Sequence, residues 1–129
     1  MERALLIMLG GALGTLLRYL ASLAAARWLG ADFPYGTLIV NLGGSFLIGL
    51  VQQLGTEALV IPDDTRLFLT TGIMGGLTTY STFSYETVRL IELGAWPQAW
   101  INILLTTTLC LGLCFLGLGA GRALLTLRG

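Results

Sequence analysis

Three long stretches of this chain carry no charge at all: Tyr35 to Thr56, Leu67 to Tyr85 and Leu93 to Gly121. A fourth, Ala4 to Leu29, is interrupted only by Arg18 and Arg27. The hydrocarbon core of a bilayer is ~30 Å thick and takes about 20 residues of helix to cross, so each stretch can span it once. The expected architecture is an all-α membrane protein: one four-helix transmembrane domain over 1–129, with spans at about 4–29, 35–56, 66–92 and 97–125.

Composition agrees with lipid as the solvent. Charged residues are 11% of the chain, against roughly 25% in ordinary globular proteins. A soluble domain this small has a large surface for its volume and needs far more polar cover. Net charge is zero, His is absent and all seven basic residues are Arg, so no basic patch points to nucleic acid. Cys110 and Cys114 sit four apart in an apolar run, a spacing that a regular helix cannot bridge by a disulfide. They are read as small packing residues. Arg3 ahead of an apolar run, with Ala24-Ala25-Ala26 further on, also fits a secretory signal. Arg18 would break that signal's apolar core, and the run is long for the role.

The connectors are short. Asp32 and Pro34 suit a helix start, as does Pro62-Asp63-Asp64. Gly94 can end the third helix and Pro97 can open the fourth. No connector offers a soluble lid, so function is expected inside the membrane. Gly10-xxx-Gly14 and Gly117-xxx-Gly121 let helix backbones approach closely. With both termini on one side, that side holds Arg3, Arg66, Arg122 and Arg128, and the other holds Arg27 and Arg89. Four against two is a small excess for the positive-inside rule, and such a chain could insert either way up.

The third stretch is unlike a plain span: Gly72-Ile73-Met74-Gly75-Gly76-Leu77-Thr78-Thr79-Tyr80-Ser81-Thr82-Phe83-Ser84-Tyr85-Glu86. Poor helix formers fall at mid-membrane, and the Gly75-Gly76 pair is the expected point of a break. Backbone at that depth leaves the helical ladder only where protein or a polar cavity satisfies it, and such breaks form ion sites. The other reading is a packing face whose hydroxyls bond back to carbonyls. Tyr80 and Phe83 share a face, Ser81 and Ser84 a neighbouring one, and Thr78 and Thr82 another. Ring edges, hydroxyls and amides could replace water around a small anion without fixed positive charge. Thr37, Asn41 and Ser45 form a polar stripe on the second span, and Asn102, Thr106 and Cys110 one on the fourth. Three stripes suggest one narrow polar path. Arg18, about fifteen residues into the first span, is an intramembrane charge and a functional candidate on that ground. Glu86, Arg89 and Glu92 read as an ion-pair ladder at a helix end.

Four features together resemble the Fluc (CrcB-type) fluoride channel family. They are Gly10-Gly11-xx-Gly14-xxx-Arg18, Pro34-x-Gly36-Thr37-xx-Val40-Asn41, Gly75-Gly76-Leu77-Thr78-Thr79-Tyr80-Ser81-Thr82-Phe83-Ser84-x-Glu86, and the length with four spans. The resemblance implies a fluoride-selective channel in the cell (inner) membrane, built as an antiparallel, dual-topology homodimer. It implies two fluoride pathways and one central sodium ion, structural and not transported, held by backbone carbonyls of Gly75 and Thr78. Fluoride would pass Asn41, the aromatics Tyr80 and Phe83, and the hydroxyls of Thr79, Ser81, Thr82 and Ser84. Thr106 and Cys110 would face that track from the fourth helix. Two positions depart from the family pattern: Tyr80 stands where Phe is usual, and Cys110 where Ser is common.

A small four-span proton-coupled multidrug-type exporter is the alternative. It needs a membrane-embedded carboxylate, whereas the first span holds Arg18 and Glu86 lies near a helix end. A purely structural assembly protein would explain the glycines but not three polar stripes. An enzyme is disfavoured, with no His, no general-base pair and no metal cluster.

Overall fold

A computed structural model describes residues 1–56 and 60–128, and the regular structure among them is entirely helical. Helix α1 covers Glu2–Leu29 and ends on Gly30 at φ 93°, a conformation that costs glycine little. Helix α2 covers Tyr35–Thr56, directly after Pro34. Pro62 then caps α3 (Asp63–Leu67), whose first-turn acids Asp63 and Asp64 suit the positive end of a helix dipole. The same rod continues as a π-helical segment, Phe68–Met74, and as α4, Gly75–Leu77. Thr78 and Thr79 are extended, and α5 restarts at Tyr80–Glu92. Gly94 at φ 78° turns the chain, and α6 runs over Trp96–Arg128 with Pro97 in its first turn, where its missing N–H is harmless.

Three helices, α1, α2 and α6, are each long and apolar enough to cross a membrane. The third segment reaches from Asp63 to Glu92 in two pieces. The interruption does not fall on the glycine pair. Gly75 keeps helical angles, φ −60° and ψ −37°, while Thr78 (φ −84°, ψ 154°) and Thr79 (φ −153°, ψ 119°) leave the helix. Gly76 is needed for closeness instead: a Cβ there would stand 2.5 Å from the Gly11 carbonyl and 2.9 Å from the Thr15 nitrogen.

Glycine contact holds the bundle together in two places. A Cβ at Gly10 would lie 2.7 Å from the Phe68 carbonyl, and one at Gly14 would collide with that of Ile73. Arg3 pairs with Asp64 at 3.1 Å, so α1 and the first half of the third segment run side by side in the same direction. Elsewhere Gly49 abuts the Cys114 carbonyl, Gly117 abuts that of Phe46, and Gly121 abuts Gln53, so α2 and α6 are also parallel. Helices in lipid gain little from burying apolar surface and associate through such backbone approach.

Polarity is distributed as a bilayer requires. Thr37, Asn41, Gln53, Thr70, Thr87 and Asn102 are buried, while Leu9, Leu16, Leu104, Leu111 and Phe115 are exposed. A protein in water would reverse this. With three apolar helices of spanning length, the chain is a multi-pass membrane protein.

The packing makes a prediction. Gly14→Ala should cost about 1–3 kcal/mol by overpacking, whereas Gly119→Ala, whose Cβ would meet nothing within 4 Å, should change stability by about 0.5 kcal/mol or less. Unfolding in mixed detergent micelles, followed by circular dichroism, checks the contrast.

Candidate functional site

Every backbone group freed by the Thr78–Thr79 interruption needs a partner, because lipid offers none. In an unbroken helix the Thr79 N–H would bond the Gly75 carbonyl. Here it donates to Asn41 Oδ1 at 2.8 Å, while Asn41 Nδ2 donates to the Thr79 carbonyl at 3.1 Å. One amide side chain therefore grips both polar groups of one residue. The Thr82 N–H, which would otherwise bond the Thr78 carbonyl, donates to Thr79 Oγ1 at 3.2 Å, an N-cap for α5. The Gly76 carbonyl accepts from Arg18 Nε at 3.0 Å. Glycine at position 44 lets α2 come this close, since a Cβ there would collide with Thr78 Cγ2.

A cavity of about 460 Å³ opens beside the interruption. Asn41, Gly75, Thr78, Thr79, Tyr80, Phe83, Thr106 and Cys110 all line it, joined by Ser45, Thr70 and Thr107. Among the described residues, no charged side chain is in its wall. The rings of Tyr80 and Phe83 stand 5.5 Å apart, tilted by 56°. Phe83 is buried, whereas Tyr80 is 79% exposed, so the aromatic pair is walled on one side and open on the other.

The remaining expected residues lie off the cavity. Ser81, Thr82 and Ser84 follow along α5: Thr79 Oγ1 is 3.3 Å from Ser81 Oγ and donates to Thr82 Oγ1 at 3.1 Å, while Ser84 Oγ donates to the Tyr80 carbonyl at 3.0 Å. Thr78 and Thr82 do not share a helix face, because the interruption separates them and Thr78 Oγ1 bonds back to the Met74 carbonyl at 2.9 Å. Asn102 keeps to its stripe, its Oδ1 accepting from Thr106 Oγ1 at 3.4 Å, but it does not line the cavity. Its Nδ2 donates to Thr87 Oγ1 at 2.9 Å, and Thr87 donates to the Phe83 carbonyl at 2.7 Å, so it braces α5 from behind. The ladder at the end of α5 is corrected in part. Arg89 pairs with Glu92 at 2.9 Å, but Glu86 accepts from Thr37 Oγ1 at 2.5 Å, because its face of α5 is turned to α2.

Sequence reasoning missed Thr70, Thr107 and Gly44. Thr107 neighbours a recognised stripe, and Gly44 follows Asn41 at i+3, but Thr70 had no such signal, since the π-helical winding alters which residues share its face.

Among the described residues, no group of three or more His, Cys, Asp or Glu could hold a metal. A metal here would need backbone oxygens. Gly75 and Thr78 fit that chemistry: both residues line the cavity, and the N–H that a continuous helix would send to the carbonyl of each is diverted to a side chain. Unwound carbonyls at a half-helix end are suitable ligands for a monovalent cation in membrane proteins.

A bundle with apolar flanks, an interrupted helix and, at the interruption, a cavity that sets an amide, hydroxyls and a thiol among apolar side chains fits a membrane protein built to pass a small solute. Comparison with known proteins narrows the class. The family model for CrcB-like protein, Camphor Resistance (CrcB), matches residues 5–118, and the chain belongs to that family. It is 48% identical over 124 residues to "Fluoride-specific ion channel FluC" of Geobacter sp. (strain M21), covering 96% of this chain and 100% of that one. Its counterpart in Anaeromyxobacter dehalogenans (strain 2CP-1 / ATCC BAA-258), named likewise, is 49% identical over 115 residues, 89% of this chain and 91% of the relative. The same name is carried by a relative from Sorangium cellulosum (strain So ce56), 46% identical over 125 residues, 97% and 98% of the two chains.

Asn41→Asp tests the grip on Thr79. The substitution replaces the Nδ2 donor with an oxygen facing the Thr79 carbonyl, and an unsatisfied buried group costs about 1–3 kcal/mol. Solute flux through the reconstituted protein should fall at least about tenfold, with Asn41→Gln no better because its amide sits one carbon further out.

Proposed function

We propose that the chain is a subunit of a passive, fluoride-selective channel that exports fluoride across the cell (inner) membrane and so lowers cytoplasmic fluoride. The observation that carries this reading is the cavity wall: an amide, hydroxyls, a thiol and two aromatic rings among apolar side chains, with no fixed charge among the described residues. Fluoride is small and holds water strongly, so a path must return many weak donors for the water it removes. A full positive charge in the wall would bind the anion too firmly to release it. Relatives over nearly the whole chain carry fluoride in their names.

The reading extends to assembly. The cavity is open on the Tyr80 side, and a second copy of the chain would close it. The near-even Arg distribution favours an antiparallel pairing, one subunit up and one down. Facing breaks would then bring Gly75 and Thr78 carbonyls from both subunits to one centre, where a structural sodium ion would supply charge to satisfy four oxygens. Within this reading, Asn41 and Cys110 present donors to fluoride in the cavity and Tyr80 and Phe83 present their rings, while Thr79 and Thr106 line the wall with hydroxyls already donated to Thr82 Oγ1 and Asn102 Oδ1. Ser81, Thr82 and Ser84 continue the path along α5, and Glu86 with Thr37 stands at its far end.

Liposomes loaded with potassium fluoride and given a potassium shunt should empty when the purified protein is present; potassium chloride liposomes should not. Equal efflux of both anions would end the selectivity claim, and efflux that needs a proton gradient would favour an exporter.

Leu127→Cys, near the C-terminus, should be labelled by a membrane-impermeant maleimide from each side in part of the population. Labelling from one side only would contradict antiparallel pairing. Gly75→Val should abolish flux while the chain still inserts and folds, because a Cβ at Gly75 meets only the Thr70 carbonyl, at 3.8 Å, within its own subunit. Thr78→Ser should be mild, since the carbonyl rather than the side chain is used.

A further inference from the structure

The half-buried Arg18 is costly in a membrane and does not line the cavity at the interruption. Gly10, Gly14 and Arg18 are spaced i, i+4, i+8 and so lie on one face of α1. Gly10 abuts Phe68 and Gly72, and Gly14 abuts Ile73 and Leu77. At the third position the neighbouring rod ends, and there Arg18 Nε meets the Gly76 carbonyl at 3.0 Å. In a continuous helix that carbonyl would accept from the Tyr80 N–H, which the extended Thr78–Thr79 pair carries away.

We propose that Arg18 is a positioning residue for the helix interruption: its Nε–H replaces the hydrogen bond that Gly76 loses, and its role is the placed donor rather than the positive charge. The two glycines set the distance at which an arginine stem can reach along the partner rod. Asn41 grips the interruption from α2, and Arg18 grips it from α1, so Thr78 and Thr79 are held between two helices. The inference rests on the channel reading only for its flux measurement.

Side-chain length separates donor from charge. In Gln the amide nitrogen follows Cδ, as Nε does in Arg, so Arg18→Gln keeps a donor at that atom without charge. In Lys a methylene takes that place and the charged nitrogen lies one bond further. Fluoride flux should stay within about threefold for Arg18→Gln and fall about tenfold or more for Arg18→Lys and Arg18→Met. An active Arg18→Lys with an inactive Arg18→Gln would overturn the proposal, as would wild-type flux in all three.

Amide hydrogen exchange gives a readout independent of fluoride. Arg18→Met should speed exchange at Thr79 and Thr82, with α6 amides unchanged. Uniform acceleration throughout the chain, or none at Thr79, would overturn the proposal even if the protein proved not to conduct fluoride.

Discussion

Unwinding two residues in the third segment creates a debt of backbone hydrogen bonds that lipid cannot meet, and the arrangement around it follows from meeting it. At membrane depth an unpaired N–H or C=O costs several kcal/mol. Asn41 meets both groups of Thr79, Thr79 meets the N–H of Thr82, and Arg18 meets the carbonyl of Gly76. Three side chains from three elements are committed to one short stretch of main chain. The Gly75 and Thr78 carbonyls lose the N–H groups of Thr79 and Thr82 to side chains, and both residues line the cavity. The interruption thus converts a self-satisfied helix into a source of directed polar groups.

Asn41 and Thr79 are short side chains, and like Arg18 they meet the main chain where the helices touch. Gly10, Gly14, Gly72 and Gly76 bring α1 against the third segment, and Gly44 brings α2 against Thr78. On the far side, Gly49 and Gly117 lock α6 to α2. Buried Asn102 then ties α6 to α5 through Thr87, whose hydroxyl bonds the carbonyl of Phe83. The aromatic that walls the cavity is therefore held from its own main chain outward. Close glycine packing and polar placement form one device: loss of backbone contact would withdraw the donors as well.

Much of this was legible in the sequence because lipid simplifies the reading. Charge-free stretches located the helices, and Asn41, Tyr80, Phe83, Thr106 and Cys110 do gather around one cavity. The position of the interruption was misread because glycine has two uses. Gly75-Gly76 weakens a helix in isolation, but Gly76 is pinned against Gly11 and Thr15, and its angles are helical to the last turn. The yielding residues are β-branched threonines, whose stiff side chains favour extended backbone and whose hydroxyls can cap the next helix. Glu86 was misplaced for a different reason. Periodicity says which residues share a face, but not which neighbour that face meets.

The hydroxyls differ in what they have left to give. Thr78, Ser84 and Thr87 donate to carbonyls of their own helix, and each then presents lone pairs rather than a proton. Thr79 Oγ1 donates to Thr82 Oγ1, which accepts and so keeps its own proton for another partner. Asn41 spends one amide proton on the Thr79 carbonyl and retains the second. An uncharged anion path needs protons that point outward, and a row of hydroxyls is not enough to supply them. By this accounting Asn41 at the cavity and Thr82 beyond it each keep a proton for an anion, and Tyr80 and Phe83 line the same cavity as Asn41. Fixing the interruption uses only one of Asn41's two amide protons and leaves that of Thr82 unspent.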